Sequence, residues 1–383
     1  MYVPTWPCLN PSNLFSPANG SQLPFPMNAY TQMCFFSARY GIYHLFRALR
    51  FQKDEIVLVP DYHHGNEVRA IRAAGASIRF YRIGRNLEPD LDQLEQFCEL
   101  HPRALYIIHY LGWPQPMGEL TALCRKHGLL LIEDCALSLL SESNGQALGR
   151  FGDYSIYCLY KTLPVPNGGV LVQNRGILPD LARLELLPCD GGSVASRSLE
   201  LTLEWLRSRS DGFGEALSWI KSAAGKVSNQ FGIRRLPVGN TGFDFAHVNI
   251  GAAPLTRRLL GQFDYQKIRQ QRRFNYRYLA ERLAGKATLL RTDLAEGVCP
   301  LFLPILVPDK QVAAQALWKC GIGAVEFWNE SDPEVPADQF PDSHFLRRHV
   351  LELPIHQDVS LLQLDYIAGQ IDRLKPLFEV PSD

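Results

Sequence analysis

Apolar and polar positions alternate along most of the chain in the rhythm of short strands followed by helices. Short apolar runs predict strands, whereas apolar residues recurring every three or four positions predict helices. The predicted strands are 55–60, 77–81, 104–109, 129–132 and 169–173. The predicted helices are 41–51, 66–74, 90–100 and 117–127. This order predicts an α/β fold, with a mostly parallel sheet and helices on both faces.

Three segments depart from that rhythm and suggest a domain division. Residues 1–30 are rich in Pro, Asn and Ser, which predicts an extended arm over the body of the protein or over a neighbour. Residues 176–240 contain helical stretches, clearest at 196–209 and 215–227, between Gly and Ser breaks. We therefore predict a large domain, 31–265, that carries a helical insertion at about 176–240.

The C-terminal part begins with a long charged helical pattern at 266–283. Short strand and helix patterns, 299–307 and 310–322, follow it. We predict a smaller α+β domain over 266–383.

Composition excludes several classes of partner. The 383 residues include 39 basic and 39 acidic side chains, so no charge excess favours nucleic acid or a membrane surface. No run of 18 apolar residues predicts a transmembrane helix. The first residues lack a basic segment followed by an apolar core, so we expect no signal peptide.

Cysteine and histidine positions argue against a disulfide framework and a metal site. The nine cysteines are scattered and include no C-x-x-C pair, which predicts reduced thiols in a cytoplasmic protein. Of ten histidines, only His63 and His64 lie close together, and no acidic or thiol partner stands at metal spacing. The chain also lacks G-x-S-x-G, P-loop and H-E-x-x-H motifs.

The strongest chemical signal is a carboxylate and a lysine. The apolar run 129–132 ends in Glu133 and Asp134, and Lys161 follows in an apolar, aromatic context. Pyridoxal phosphate (PLP) needs such a pair, because a lysine forms its Schiff base and a carboxylate keeps its pyridine nitrogen protonated. From the residues alone, two alternatives remain open. The lysine is then a surface residue whose charged end reaches solvent, and the carboxylate caps a helix.

Longer motifs carry a family resemblance. The segments 53–83 and 107–136, Ser37 to Gly41, the pair Gly152-Asp153 and the run LELPIHQDVS are similar to motifs of the DegT/DnrJ/EryC1/StrS family of PLP-dependent sugar aminotransferases. That resemblance implies fold type I, with a seven-stranded, mostly parallel sheet in the large domain. It also implies a homodimer that moves an amino group to a nucleotide-linked keto sugar. The resemblance makes glutamate the expected amino donor.

The resemblance implies a role for each matched residue. Lys161 corresponds to the Schiff-base lysine and Asp134 to the partner of the pyridine nitrogen. His64 corresponds to the aromatic residue that stacks on the cofactor, although His63 or a plain polar loop remains an alternative. Ser37, Ala38 and Arg39 open a helix whose unpaired amides suit a phosphate, although Ser37 as an ordinary helix cap remains open.

The sequence also departs from the family pattern. Cys158 stands three residues before Lys161, where some type I enzymes have the phosphate-binding serine, and Ser155 is the nearby alternative. Leu137 stands three residues after Asp134, where the family has Gln, or His in its dehydratase branch. Residues 242–245 are only weakly similar to the family's G-x-N-Y-R-M segment, whose Asn binds phosphate. Asp244 in this stretch would repel phosphate, so Asn249 is the alternative phosphate-binding residue.

These departures keep two alternatives open. One is another PLP-dependent reaction on the same fold, such as elimination, decarboxylation or condensation. The other is a catalytically degenerate homologue that acts as a binding protein.

Overall fold

A seven-stranded sheet forms the core of the N-terminal part of the chain. The structure, a computed structural model, describes residues 1–17, 20, 22–209 and 242–378. The sheet has the order β1-β9-β8-β5-β4-β2-β3, and only β9 runs antiparallel to its neighbours. Its strands are β1 Gln32–Phe35, β2 Ile56–Pro60, β3 Ser77–Tyr81, β4 Ala104–Ile108, β5 Leu130–Asp134, β8 Tyr154–Cys158 and β9 Gly169–Gln173. The predicted mostly parallel α/β sheet is confirmed.

Four helices alternate with these strands, and their starts lie near the carboxyl edge of the sheet. They are α1 Ala38–Leu49, α2 Asn66–Ala73, α3 Leu91–Cys98 and α4 Met117–His127. Local chemistry sets their ends: the Asp90 carboxylate accepts from the Gln93 N–H at 2.9 Å at the start of α3, and Gly128, at φ 70°, ends α4. A small hairpin, β6 Glu142–Ser143 and β7 Gln146–Ala147, follows β5.

Strand bounds differ from the prediction at two places that matter for the site. The strand β5 ends at Asp134, so Glu133 and Asp134 belong to it and point to opposite faces of the sheet. The sequence pattern did not mark β8, whose five residues YSIYC are all buried. Its serine, cysteine and tyrosines give no clear alternation of apolar and polar positions.

The predicted helical insertion contains two described helices, α5 Pro179–Ala182 and α6 Gly191–Arg209. The predicted helix at 215–227 lies outside the described residues. The short helix α7 Pro254–Leu260 and the long helix α8 Tyr265–Leu283 then lead into the C-terminal part.

The C-terminal part is built on a three-stranded antiparallel sheet with the order β10-β11-β12. The strands are β10 Thr288–Leu289, β11 Phe302–Leu306 and β12 Val350–Pro354. Its helices are α9 Lys310–Lys319, α10 Pro341–His349 and α11 Leu361–Arg373. This strand and helix content is the α+β pattern that the sequence predicts.

The first residues of the chain lie along this C-terminal part. Val3 N–H donates to the Gly321 carbonyl at 2.9 Å, and the Trp6 ring lies 5.2 Å from that of Phe302. Leu9 N–H reaches the Leu201 carbonyl of α6 at 3.2 Å. The arm therefore ties α6 to the C-terminal sheet of the same chain.

Two further observations bear on the composition-based expectations. None of the helices within the described ranges is long and apolar enough to cross a membrane. All nine cysteines lie in the described part of the chain, and all are free thiols.

Candidate active site

Several predicted site residues meet in one cavity at the carboxyl edge of the large sheet. The empty space is about 570 Å³, part of it open to solvent. Seven of the nine predicted site residues line it: Ser37, Ala38, Arg39, His64, Asp134, Cys158 and Lys161. The carboxyl ends of β1, β2, β5 and β8 supply these residues or lead directly into them, as is usual for ligand sites of α/β sheets.

Asp134 is the last residue of the central strand β5 and is 6% exposed. Its Oδ2 accepts from the Tyr106 hydroxyl at 2.6 Å, and its Oδ1 accepts from the Ala136 N–H at 2.8 Å. Burial raises the pKa of the carboxyl, and these two hydrogen bonds together with the Lys161 charge oppose that shift. The carboxylate is thus fixed in direction, and a nearby cation would stabilise its charge.

Lys161 follows β8 in a single helical turn, Leu159–Lys161. Its side chain lines the cavity, and Nζ lies 5.6 Å from the centre of the Phe327 ring. The Lys161 charge also acts on the pKa values of His64 and Asp134. The structure therefore places the lysine beside the two other predicted residues of the reaction, and we call Asp134, Lys161 and His64 the lysine cluster.

The neighbouring histidines occupy different environments. His64 lines the cavity, and its Nδ1 is buried without a hydrogen-bond partner among the described residues. His63 is 1% exposed and stacks on Phe80 in the core at 5.4 Å. Burial lowers the pKa of His64 to about 3, and the charges of Lys161 and Arg39 act in the same direction. His64 is consequently a neutral ring.

The start of α1 forms a second part of the cavity. A Cβ on Gly169 would lie 2.2 Å from the Ala38 nitrogen and 2.4 Å from the Ser37 carbonyl carbon, so only glycine lets β9 approach this turn. Among the described residues, no backbone N–H is capped by the Ser37 side chain. The structure therefore does not support ordinary capping by Ser37, and Ser37, Ala38 and Arg39 line the cavity.

Cys158 and Tyr160 complete this second part. The Tyr160 hydroxyl lies in hydrogen-bonding contact with the Cys158 thiol and the Ser37 hydroxyl, and the Arg39 charge acts on it. Burial raises the pKa of the Cys158 thiol, with the Lys161 charge opposing, so the thiol is neutral. We call Ser37, Ala38, Arg39, Cys158 and Tyr160 the helix-start cluster.

Two predicted residues lie elsewhere. Ser155 pairs with Glu133 in the sheet and shares its face, opposite to that of Asp134, and it is outside the cavity lining. Asn249 is exposed; its carbonyl accepts from the Leu187 N–H at 2.7 Å and its side chain contacts His44. Within the described ranges, neither side chain lines the cavity. Asp244 is likewise outside and caps the Ala246 N–H at 2.9 Å.

The other member of the acidic pair has a structural role. Glu133 accepts from the N–H groups of Gly149 at 2.8 Å and Gly152 at 2.6 Å, and it pairs with His109 Nε2 at 3.0 Å. The His109 Nδ1 accepts from the Gln115 N–H at 3.1 Å. Although Cys135 lies within metal-ligand distance of this pair, both imidazole nitrogens already have protein partners. Glu133 thus holds the 149–152 loop against the sheet.

Sequence reasoning missed four polar or aromatic residues that line the cavity: Asn66, Glu67, Tyr160 and Trp328. Glu67 Oε1 accepts from the His64 N–H at 2.7 Å, and burial, with Asp134 nearby, raises its pKa. The spacing of Glu67, three residues after His64 at a helix start, is a signal that could have found it. Trp328 comes from the C-terminal part, and no local motif connects it to the other residues.

A model of the DegT/DnrJ/EryC1/StrS aminotransferase family matches residues 33–372. The chain belongs to the DegT/DnrJ/EryC1/StrS aminotransferase family. The resemblance drawn from the sequence motifs is confirmed.

Relatives of established name match over a limited segment. GDP-perosamine synthase of Vibrio cholerae is 32% identical over 136 residues, which cover 35% of this chain and 37% of that protein. The dTDP-4-dehydro-2,3,6-trideoxy-D-glucose 4-aminotransferase of Saccharopolyspora spinosa is 35% identical over 123 residues, 30% of this chain and 31% of that protein. The matched segments therefore span about a third of these relatives.

Solved structures share the fold over nearly the whole chain. PseC of Helicobacter pylori, an aminotransferase involved in the biosynthesis of pseudoaminic acid, has a TM-score of 0.67 at 17% identity, covering 98% of this chain and 99% of that one. Spr1654 of Streptococcus pneumoniae, solved in its PLP-form, has a TM-score of 0.68 at 16% identity, covering 98% and 99%. At these identities the likeness establishes the fold, which is that of fold type I aminotransferases.

The residues present fit PLP. The lysine cluster offers an amine, a buried carboxylate and a neutral ring with an unpartnered nitrogen within the described residues. The helix-start cluster offers the backbone amides of the start of α1 and the Arg39 guanidinium. The helix start lies against Gly169, a position that only glycine can occupy. The departures are the thiol of Cys158 and the apolar Leu137, which also lines the cavity.

Proposed function

We propose that this protein is a PLP-dependent aminotransferase that moves an amino group from an amino acid, glutamate in particular, to a nucleotide-linked keto sugar. The observation that carries the proposal is the meeting of Lys161, Asp134 and His64 in one cavity of a chain of this family. The names of the relatives that act on nucleotide-linked sugars support the class of acceptor.

When bound, PLP supplies an aldehyde for covalent capture of amines and a ring that withdraws electrons from the bound carbon. Lys161 would anchor the cofactor and, once displaced, its amine would act as a general base on the α-carbon of the amino donor and then as a general acid. The Phe327 ring beside its Nζ and the partial burial of the side chain limit the access of water.

Asp134 keeps the cofactor ring cationic. Its two hydrogen bonds hold the carboxylate in place, and an opposite charge on the ring nitrogen favours the ionised form against the effect of burial. His64 is a neutral ring in the cavity lining, so it would add no positive charge to that of the bound cofactor.

The helix-start cluster holds the phosphate. The amides at the start of α1 are donors at the positive end of the helix dipole. The Arg39 guanidinium, which also donates to the Gly242 carbonyl, adds a positive charge at the same place. These groups offset the weak donor capacity of the Cys158 thiol.

The test is the visible absorption spectrum of the purified protein with PLP, before and after glutamate. We expect a visible band that glutamate removes as the amine form of the cofactor accumulates. The Lys161→Ala variant should lack the band, whereas Lys126→Ala, at an exposed lysine paired with Glu95, should behave as the wild type. A wild-type spectrum that glutamate leaves unchanged would contradict the proposed amino donor, and a band that survives Lys161→Ala would contradict the lysine assignment.

We also infer that the protein acts in the cytoplasm as a homodimer. The free cysteines support a reducing compartment, and large exposed apolar side chains such as Tyr30 and Phe245, 98% and 61% exposed, are available for a second copy. Light scattering should give twice the chain mass of 43.3 kDa. A mass equal to one chain at micromolar concentration would contradict the dimer.

A further inference from the structure

A buried guanidinium joins the C-terminal domain to the loop that carries His64. Arg347 lies in α10 and is 5% exposed. Its Nη1 donates to the carbonyls of His63 and Trp328, each at 3.0 Å, and its Nη2 donates to the carbonyl of Asp61 at 2.9 Å. One side chain thus fixes two backbone segments, 61–63 and 328, that lie far apart in the sequence.

Both segments border the cavity. The 61–64 segment ends in His64, and Trp328 lines the cavity from the C-terminal side. The Trp328 indole packs on Tyr62 at 4.6 Å and on Tyr110 at 5.4 Å. Arg347 itself lies 5.4 Å over the Tyr62 ring, so the guanidinium contacts the side chains between the two segments as well.

The backbone of Trp328 needs this support. Its φ of 59° lies in the left-handed region, which is unfavourable for a bulky residue unless surrounding contacts impose it. The preceding residue is held by two more buried groups: the Phe327 carbonyl accepts from Lys310 Nζ at 2.7 Å, and its N–H lies 3.3 Å from Glu352 Oε2. Of these groups, Arg347 also donates hydrogen bonds to the carbonyls of the 61–64 segment.

We propose that Arg347 is a positioning residue that fixes His64 and Trp328 in the cavity wall and thereby orients the ring of bound PLP. The inference rests on the proposed binding of PLP in this cavity. A guanidinium has five donors in a planar fork and can bridge three carbonyls, whereas an ammonium group cannot span the same arrangement. Charge alone is therefore insufficient at this position.

The experiment compares the wild type with Arg347→Lys, Arg347→Met and Arg348→Met in the full chain. Arg348 is an exposed neighbour on the same helix and serves as the matched control. The readouts are the dissociation constant for PLP and the circular dichroism that bound PLP shows in its visible band. Far-UV circular dichroism and the Tm of the cofactor-free protein report folding separately.

We expect Arg347→Lys to bind PLP about tenfold more weakly or worse, with a reduced visible dichroism and an unchanged far-UV spectrum. Arg348→Met should match the wild type. If Arg347→Met fails to fold, Arg347→Lys decides the question. A lower Tm with unchanged PLP affinity and dichroism would overturn the proposal, because a purely structural residue gives that result. The reaction with glutamate tests the proposed function separately, since these readouts need no substrate.

Discussion

Asp134 and Lys161 of the lysine cluster follow a different part of the sheet from the α1 residues of the helix-start cluster. Asp134 ends β5, the middle strand of seven, and Lys161 follows the adjacent β8. Ser37, Ala38 and Arg39 instead follow β1, which is an edge strand. Buried strands on both sides fix the direction of the Asp134 side chain, whereas the helix start offers mainly backbone donors.

This difference explains why the departure from the family at Cys158 is tolerable. The lysine cluster needs an amine and a carboxylate at fixed positions, and no other side chains supply that chemistry. A phosphate can be held by any set of well-placed donors, including amides that every non-proline residue carries. Substitution of the usual serine by Cys158 is therefore tolerable at the helix-start cluster, because Arg39 and Tyr160 lie beside it.

The sharpest test within the lysine cluster compares the two members of the acidic pair. We expect Asp134→Asn to lower the rate of amino transfer by about 100- to 1,000-fold, because an amide cannot balance the charge on the ring nitrogen. Steady-state kinetics with a saturating amino donor measures this effect.

Glu133→Gln is the matched control on the other face of the sheet. It weakens the hydrogen bonds to Gly149 and Gly152, so the free energy of unfolding should fall by about 1–3 kcal/mol. Its rate per folded molecule should stay near that of the wild type. Equal losses of rate in both variants would show that the pair acts structurally.

The helix-start cluster is tested by comparing PLP with pyridoxal, which lacks the phosphate. We expect Arg39→Gln to weaken PLP binding by about 10- to 100-fold, as for loss of one charged hydrogen-bond donor. Binding of pyridoxal should change little. Equal weakening for both compounds would mean that Arg39 supports the fold and not the phosphate.

Sequence alone predicted the positions of Asp134 and His64, since each follows a recognisable apolar run, 129–132 and 55–60. Lys161 follows β8, which the pattern did not mark, and was predicted from its pairing with Asp134 and from the family resemblance. Sequence alone could not assign the face of Ser155, because that required knowing that β8 pairs Ser155 with Glu133. It also could not find Trp328 or Arg347, because long-range packing of the C-terminal part brings Trp328 to the cavity and Arg347 to the Trp328 carbonyl. The structure decides between His63 and His64, because His63 stacks on Phe80 in the core whereas His64 lines the cavity.

The neutral state of His64 gives a pH-dependent prediction for the cofactor-free protein. Its pKa falls from 6.5 to about 3 on folding, so between these values the unfolded chain binds a proton that the folded protein does not. Stability from this group is therefore present above pH 6.5 and is lost as the pH falls towards 3. Urea unfolding at pH 7 and pH 5 should show a loss in the wild type that is roughly 1–2 kcal/mol larger than in His64→Phe. His101→Asn, at an exposed histidine, should retain the wild-type loss.

The smallest effect is expected for Cys158→Ser. This variant tests whether the Cys158 thiol limits phosphate binding. The residue is 1% exposed, its thiol is neutral, and Tyr160 lies in contact with it. A hydroxyl is a better donor than a thiol and fits the same space, so Cys158→Ser should strengthen PLP binding by about two- to tenfold. Pyridoxal binding should not change, and Cys135→Ser, a buried cysteine outside the cavity lining within the described residues, serves as the control. Unchanged PLP affinity in Cys158→Ser would mean that the amides of α1 and Arg39 already supply the hydrogen bonds that the phosphate needs. The side chain at position 158 would then contribute nothing to phosphate binding.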